Sequence, residues 1–423
     1  MIVHLLLTGN ELMSGDIVDS NSAMIARYLA DDGWNIRKKL TVGDDLDELV
    51  AALQWLAQDC DVLLVNGGLG PTVDDMTAQA LAMACGVELA EHPTALHDLQ
   101  QWCARIGLTV NAANRKQALL PSGCTLVANA IGSAPGFAML LGNCRIICTP
   151  GVPRELDIML TAEILPALRE SFPIGSSQVR RFALFGIGES SLQQRISDSI
   201  TDWPSDIELG FRAGFPQLDL KLGTQTAAAR AAVEQLLPRL QPLIADYLIG
   251  EGEISLAARV VQLLAAQGKK VTLAESCTGG QIANLITQVP GASRVFDAGF
   301  VTYSNRIKHE ILAVENNLLE TEGAVSEAVV LQMAAGALRR SGADYAIAVS
   351  GIAGPDGGSA EKPVGTVWIA WGTRDDLRAQ RLQINFPRQQ FQQYVSYIGL
   401  DLIRRALLGI AAEPPYFRTR KAR

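Results

Sequence analysis

Residues 274–283 read "AESCTGGQIA". Ser276 stands between a glutamate and Cys277, and Thr278, Gly279 and Gly280 follow at once. The preceding "KKVTL" has the apolar character of a strand, and the following "QIANLITQV" has helical spacing. A serine at a strand-turn-helix junction has two readings. It is a favoured N-cap, its hydroxyl accepting from the first free amides of the helix. It is equally a place to hold a nucleophile. Gly279 and Gly280 permit close backbone approach and leave amides open at a helix start, an arrangement that suits a phosphate or a developing oxyanion.

A serine nucleophile needs a base. The chain has four histidines, and His4, His92 and His97 all fall in its first segment. The stretch "VTYSNRIKHE" (301–310) offers Tyr303, Lys308 and His309 instead. Tyr303 ends a predicted strand and Lys308 begins the next helix. A lysine removed from water has a depressed pKa and can accept a proton. The same lysine on a solvated helix end is an ordinary surface charge. A third loop, "SGIAGPDGG" (350–358), follows another predicted strand. Its Gly351, Gly354 and Gly357 make either a nest of backbone donors or a plain turn. Three polar loops after three strands of one segment favour a site.

The first segment carries a second set of polar loops, "TGNELMSGDIVDSN" (8–21) and "NGGLGPTVDD" (66–75). Asp74 and Asp75 are either partners of a helix dipole or oxygen ligands for a Mg²⁺-like ion held against a pyrophosphate. Around them the pattern alternates. "VHLLLTG", "NIRKKLTVGD" and "DVLLVNGG" read as strands; "SNSAMIARYLADDGW" and "LDELVAALQWLAQ" read as helices. That rhythm predicts a parallel sheet covered by helices, with ligands beyond the carboxyl ends of its strands. The domain is expected to end near residue 172, after "TPGVPRELDIM".

These elements predict an α/β chain of three parts. Residues 1–172 form the first domain and 175–250 a small α+β, KH-like connecting module. Residues 252–412 form a second α/β domain, and 413–423 a short basic tail whose last stretch, "FRTRKAR" (417–423), reads as a frayed end. The module lacks the basic GxxG loop of an RNA-binding KH domain, so a spacer or dimerisation role is expected. A formal net charge of -8 over 423 residues argues against a general nucleic-acid binder. Seven cysteines without a CxxC pair point to reduced thiols and a cytoplasmic protein. Cys144 and Cys148 flank "RII" and are expected to face a core. "MIVHLLLTGNEL" lacks the basic start and cleavage site of a signal peptide and reads as a first strand. No uncharged apolar run reaches the roughly 18 residues of a membrane span.

Taken together, "AESCTGG", "GFVTYSN", "GAVSE", "VSGIAGPDGG" and "KPVGTVW" resemble the nicotinamide-nucleotide amidohydrolase (NMN deamidase) family, over most of residues 252–410. The first segment resembles the molybdopterin-binding fold, most clearly at "GGLGPTVDD". The joined arrangement resembles the CinA (competence/damage-inducible) family. The resemblance implies hydrolysis of the carboxamide of nicotinamide mononucleotide to nicotinate mononucleotide and ammonia, without a metal. It places the nucleophile at Ser276, its activator at Lys308, and a residue relaying or orienting the proton at Tyr303. The amides of Cys277, Thr278, Gly279 and Gly280 would hold the oxyanion. The loop with Gly351, Gly354 and Gly357 would hold phosphate or ribose, and Arg388 in "NFPRQQ" would also touch substrate.

For the first domain the resemblance implies metal-dependent cleavage of ADP-ribose at its pyrophosphate. Asp74, Asp75 and Glu155 would hold a divalent ion. Asn10, Glu11, Asn66, Gly67, Gly68, Asn114 and Arg115 would contact the nucleotide, Asn10 standing where many molybdopterin-fold relatives have a carboxylate. One rival has this domain bind a pterin or nucleotide without cleaving it. Another makes the whole protein a non-catalytic partner in competence or DNA damage response; the intact Ser276, Tyr303 and Lys308 speak against that. A homodimer is the expected assembly.

Overall fold

The strand Val3–Thr8 is buried at all six positions, as a continuous apolar run must be when both faces of its sheet are covered. The computed structural model in which it lies describes residues 1–175 and 177–420. Two compact units emerge, one of residues 1–179 with 224–230 and one of residues 180–223 with 231–423.

The first unit is built on a six-stranded sheet in the order Ile36–Val42, Val3–Thr8, Val62–Asn66, Cys144–Thr149, Gly136–Leu141, Thr125–Val127. The first four strands are parallel, as expected. The last two, beyond the strands read from the sequence, run antiparallel. The cause is local. Leu141 pairs with Cys144 across a two-residue turn, and Gly142 supplies the positive φ, 61°, that such a turn needs. Side chains alternate between two cores. Leu6, Leu63 and Val65 face one, and Leu5, Leu7, Val62 and Leu64 face the other. Cys144 and Cys148 both lie in the first core, as their spacing in a strand requires.

In the second unit the sheet order is Phe296–Val301, Val271–Glu275, Tyr345–Gly351, Thr366–Gly372, Leu377–Gln383. The first three strands are parallel and the last two antiparallel. One face packs on the helices Leu256–Gln267 and Arg388–Leu407. The other packs on Glu327–Ser341. Among the described residues no helix is long and apolar enough to cross a membrane.

The connecting module shares a core with the second α/β domain. Its strands form a four-stranded sheet, Ile207–Gly214, Gln217–Thr224, Gln178–Phe185, Leu248–Glu251. Its Ala183, Phe185 and Ile249 belong to the same apolar core as Val271, Leu273 and Val395. A buried ion pair reinforces the joint. Arg404 and Asp401 meet at 2.7 Å with almost no exposure, and Arg404 also donates to the Leu248 carbonyl at 2.7 Å. Removing one member of such a pair strands a buried charge, at a cost of about 3–5 kcal/mol. The expected frayed tail is corrected. Tyr416 and Phe417 are buried, packing on Phe185 and Trp371, and Tyr416 donates to Asp401 at 2.9 Å. Residues 421–423 of that tail lie outside the described residues.

Candidate active site and a second cleft

Three neighbouring strand ends are set in register by single hydrogen bonds beyond the ladder. The Ser276 amide donates to the Val349 carbonyl at 3.0 Å, and the Thr302 amide to the Glu275 carbonyl at 2.8 Å. Ser304 then caps the helix Asn305–Leu312, its hydroxyl accepting from the Ile307 amide. That helix comes so close to Glu327–Ser341 that a Cβ on Gly336 would overlap the Leu312 carbonyl. The close packing sinks Lys308, which has 0% exposure beside an 8% exposed Ser276. Lys308 Nζ donates to Ser276 Oγ at 2.9 Å and to the Thr302 carbonyl at 2.8 Å, and lies 3.5 Å from the Tyr303 carbonyl. Burial disfavours the ammonium and pulls its pKa down to about 8. The solvated-lysine alternative is thereby excluded. When the amine is neutral, the two carbonyls can take its N–H groups and leave the lone pair for the serine proton.

The turn after Ser276 differs from expectation. Glu275, 1% exposed, folds its carboxylate over the start of the helix Gln281–Thr287. It accepts from the amides of Gly280 (3.1 Å), Ile282 (3.1 Å) and Ala283 (2.9 Å), and from the Thr278 hydroxyl (2.7 Å). The Gly279 amide donates to the Ser276 carbonyl. The helix start is therefore neutralised by the protein's own anion and is not open to a phosphate, and Gly279 and Gly280 are spent as oxyanion donors. The Cys277 and Thr278 amides have no hydrogen-bond partner among the described residues. Glu275 was in plain view in "AESCTGG". Its cap was not legible because a capping residue usually lies nearer the helix it caps.

Tyr303 also departs from its expected role. Its ring is 61% exposed, and its hydroxyl accepts from Arg388 Nη2 at 3.0 Å rather than meeting Ser276 or Lys308. Arg388 Nη1 donates to the Gly354 carbonyl at 2.8 Å. Arg388 thus joins the Tyr303 loop to the glycine loop of Gly351, Gly354 and Gly357. Gln392, one turn along, donates to the Cys277 carbonyl at 2.8 Å; nothing in the sequence marked it. The Cys277 thiol is buried and pushed up to about 12 by desolvation, so it is inert. His309 Nδ1 faces the Val314 carbonyl at 2.8 Å, in its own helix end.

In the first unit, the carboxyl ends of Val3–Thr8, Val62–Asn66 and Cys144–Thr149 open onto a cleft of about 500 Å³. Glu11, Asn66, Gly67, Gly68, Asp74, Asp75 and Glu155 all line it. Gly67 and Gly68 have φ of 112° and 65°, and a Cβ on Gly67 would strike the Thr8 carbonyl. Asn10, Asn114 and Arg115 are not among the lining residues. Asn10 is latched to Asp44 in both directions, by its amide at 2.9 Å and its Oδ1 at 3.1 Å. Asn114 gives its amide to Asn111, and Arg115 pairs with Glu91.

The lining carboxylates do not assemble a metal site. Asp75 accepts from the Thr72 amide at 2.8 Å and hydroxyl at 2.5 Å. Glu155 accepts from Asn129 at 2.8 Å. Among the described residues no three acidic, histidine or cysteine side chains are grouped to hold an ion. Asn66 is committed to the floor, donating to Thr149 Oγ1 and the Pro150 carbonyl. Asn21 Nδ2 donates to Asn66 Oδ1 at 2.9 Å and to the Gly151 carbonyl at 2.6 Å. Its own Oδ1, like Gln117 Oε1, is a buried acceptor without a partner among the described residues. Both residues line the cleft.

Two families match the chain. The probable molybdopterin binding domain matches residues 4–170 and the CinA C-terminal domain residues 253–407. A CinA-like protein of Colwellia psychrerythraea is 50% identical over 99% of this chain and 98% of its own. One from Shewanella denitrificans is 39% identical over 98% of each. Among solved structures, the competence/damage inducible protein CihA from Agrobacterium tumefaciens is 44% identical over 36% of this chain and 93% of its own, with a TM-score of 0.35. With relatives at this identity spanning nearly its whole length, the chain belongs to the CinA family, pairing a molybdopterin-binding-type first domain with a CinA C-terminal domain.

Proposed function

We propose that the C-terminal domain hydrolyses the carboxamide of nicotinamide mononucleotide, giving nicotinate mononucleotide and ammonia. The observation that carries this reading is a lysine wholly removed from water whose Nζ lies 2.9 Å from a serine hydroxyl at a strand end. As the neutral amine, Lys308 takes the proton of Ser276 as Oγ attacks the carboxamide carbon. The Cys277 and Thr278 amides face the forming oxyanion. Lys308 returns the proton to the departing nitrogen, which leaves as ammonia, and an ester to Ser276 remains. Water, deprotonated by the same amine, cleaves that ester and releases the carboxylate. Arg388, Tyr303 and the loop of Gly351–Gly357 lie on the side where ribose and phosphate extend. The test is ammonia release from nicotinamide mononucleotide by the purified chain. No release at pH 8–9 from folded protein would reject the reading.

For the first domain we propose nucleotide binding, with ADP-ribose as the ligand to try first, rather than cleavage through a preassembled metal. The unpartnered Asn21 and Gln117 acceptors favour it, since they suit a ligand bearing hydroxyl or N–H donors. Calorimetric titration with ADP-ribose should give heat without Mg²⁺. Strictly Mg²⁺-dependent binding followed by hydrolysis would restore the pyrophosphatase reading.

A further inference from the structure

The connecting module packs on the helix Arg388–Leu407 through Phe185 and through the tip of a hairpin. Phe215 occupies the turn between the strands Ile207–Gly214 and Gln217–Thr224. Its ring meets Phe386 edge-on at 5.3 Å and lies over Tyr394 at 6.0 Å. Phe386 and Tyr394 meet edge-on at 5.3 Å. The Phe215 carbonyl accepts from Gln393 Nε2 at 3.2 Å. Phe386 precedes the helix Arg388–Leu407 and Tyr394 lies in its second turn, so the hairpin tip joins a three-ring cluster at the helix start.

That same helix start serves all three strand-end loops of the site. Arg388 bonds the Tyr303 hydroxyl and the Gly354 carbonyl, and Gln392 bonds the Cys277 carbonyl. We propose that Phe215 is a positioning residue for the deamidase. By clamping the first two turns of Arg388–Leu407, it holds Arg388 and Gln392 where they tie the three loops together. This inference rests on the deamidase reading. It also gives the module a task that neither a spacer nor a dimerisation surface would need. Phe215 has no contact with Ser276 or Lys308 among the described residues, so the proton chemistry lies outside its reach. The effect should fall on substrate binding.

The experiment compares Phe215→Ala, Phe215→Tyr, Arg388→Ala and the double variant Phe215→Ala/Arg388→Ala, with nicotinamide mononucleotide as substrate. Small misplacements of binding groups are costly, and aromatic contacts of this geometry hold elements together beyond their area. Phe215→Ala should therefore raise KM by roughly three- to tenfold. Its kcat and the position of its pH limb should match wild type, and Phe215→Tyr should restore KM. In the double variant KM should rise by less than the product of the two single effects. An unchanged KM in Phe215→Ala, or effects that multiply in the double variant, would overturn the proposal. A wild-type protein that releases no ammonia would reject the deamidase reading by itself. The positioning claim is then read by amide hydrogen exchange. Phe215→Ala should speed exchange in residues 386–394 and 351–358 and spare 271–275. Equal exchange in all three segments would reject it.

Discussion

The two strand-end sites differ in what their buried polar groups are doing. In the C-terminal domain a cation has been taken out of water and turned onto a hydroxyl, Lys308 onto Ser276, while the neighbouring anion, Glu275, is fully used in fixing the turn. In the first-domain cleft Asp75 and Glu155 are satisfied by Thr72 and Asn129, and among the described lining residues the buried groups without a partner are the neutral acceptors of Asn21 and Gln117. A group held unstable in the resting protein is poised to react, whereas a neutral group waiting for a donor is poised to bind. On the proposed reading, the contrast separates a reaction centre from a recognition cleft on folds that share one topological rule.

The largest expected effect breaks the comparison at its strongest point. Ser276→Ala should lower deamidation by at least about 10⁴-fold, as loss of a nucleophile does elsewhere, with circular dichroism unchanged. Near-normal ammonia release would return Ser276 to the role of a turn residue. Next is the base. Lys308→Met keeps the buried volume and should cost about 10²–10⁴-fold in kcat, while His309→Ala should have a modest effect, since its ring serves the Val314 carbonyl. The pH profile gives an independent check. Lys308 must be neutral to accept a proton and its pKa is lowered to about 8. The value of kcat/KM should therefore fall about tenfold per pH unit below 8 and level off above it. A limb near 6.5 that vanishes in His309→Ala would transfer the role to the histidine.

Much of this was legible in the sequence because strand ends announce themselves. Apolar runs such as "KKVTL" and "DYAIAVSG" closed by polar, glycine-bearing loops put Ser276, Lys308 and Gly351 at one sheet edge. What escaped was governed by contacts distant in sequence. The Glu275 cap depends on a carboxylate folding forward over its own turn. The burial of Lys308 depends on Gly336 admitting the Leu312 backbone. The strand Leu377–Gln383 carries Arg378 and Arg381 among two glutamines and has little apolar signal. The aromatics Tyr416 and Phe417 sit in a basic stretch, and partners far away in sequence, Phe185, Trp371 and Asp401 among them, explain their burial. For Asp74 and Asp75 the sequence showed adjacent carboxylates but not that Asp75 accepts from the Thr72 amide and hydroxyl in its own turn.

A smaller effect sharpens the contrast from the substrate side. Nicotinamide mononucleotide should exceed free nicotinamide by about 100-fold in kcat/KM, equivalent to about 2.7 kcal/mol. The helix start after Ser276 cannot supply this, because Glu275 occupies it. The discrimination must come from Arg388, Tyr303 and the glycine loop, whose remote contacts orient the carboxamide. In Arg388→Ala the ratio should collapse. A ratio near one in the wild type would remove the phosphate-side reading.

The smallest expected effect is the most direct test of whether the sites are two. Asp74→Ala with Asp75→Ala, or added chelator, should leave deamidation within about twofold of wild type, since changes with no shared partners act independently. The reasoning is local. Asp75 holds the Thr72 amide and hydroxyl, so its loss frees the 70–75 loop that lines the first-domain cleft and should weaken ADP-ribose binding. The hydrogen bonds that set the Ser276–Lys308 pair come from Val349, Thr302 and Glu275, all in the other compact unit. Ammonia release and calorimetric titration with ADP-ribose on one preparation read both effects together. Loss of both activities in a folded double variant would mean one shared site, and the distinction between a reaction centre and a recognition cleft would fall.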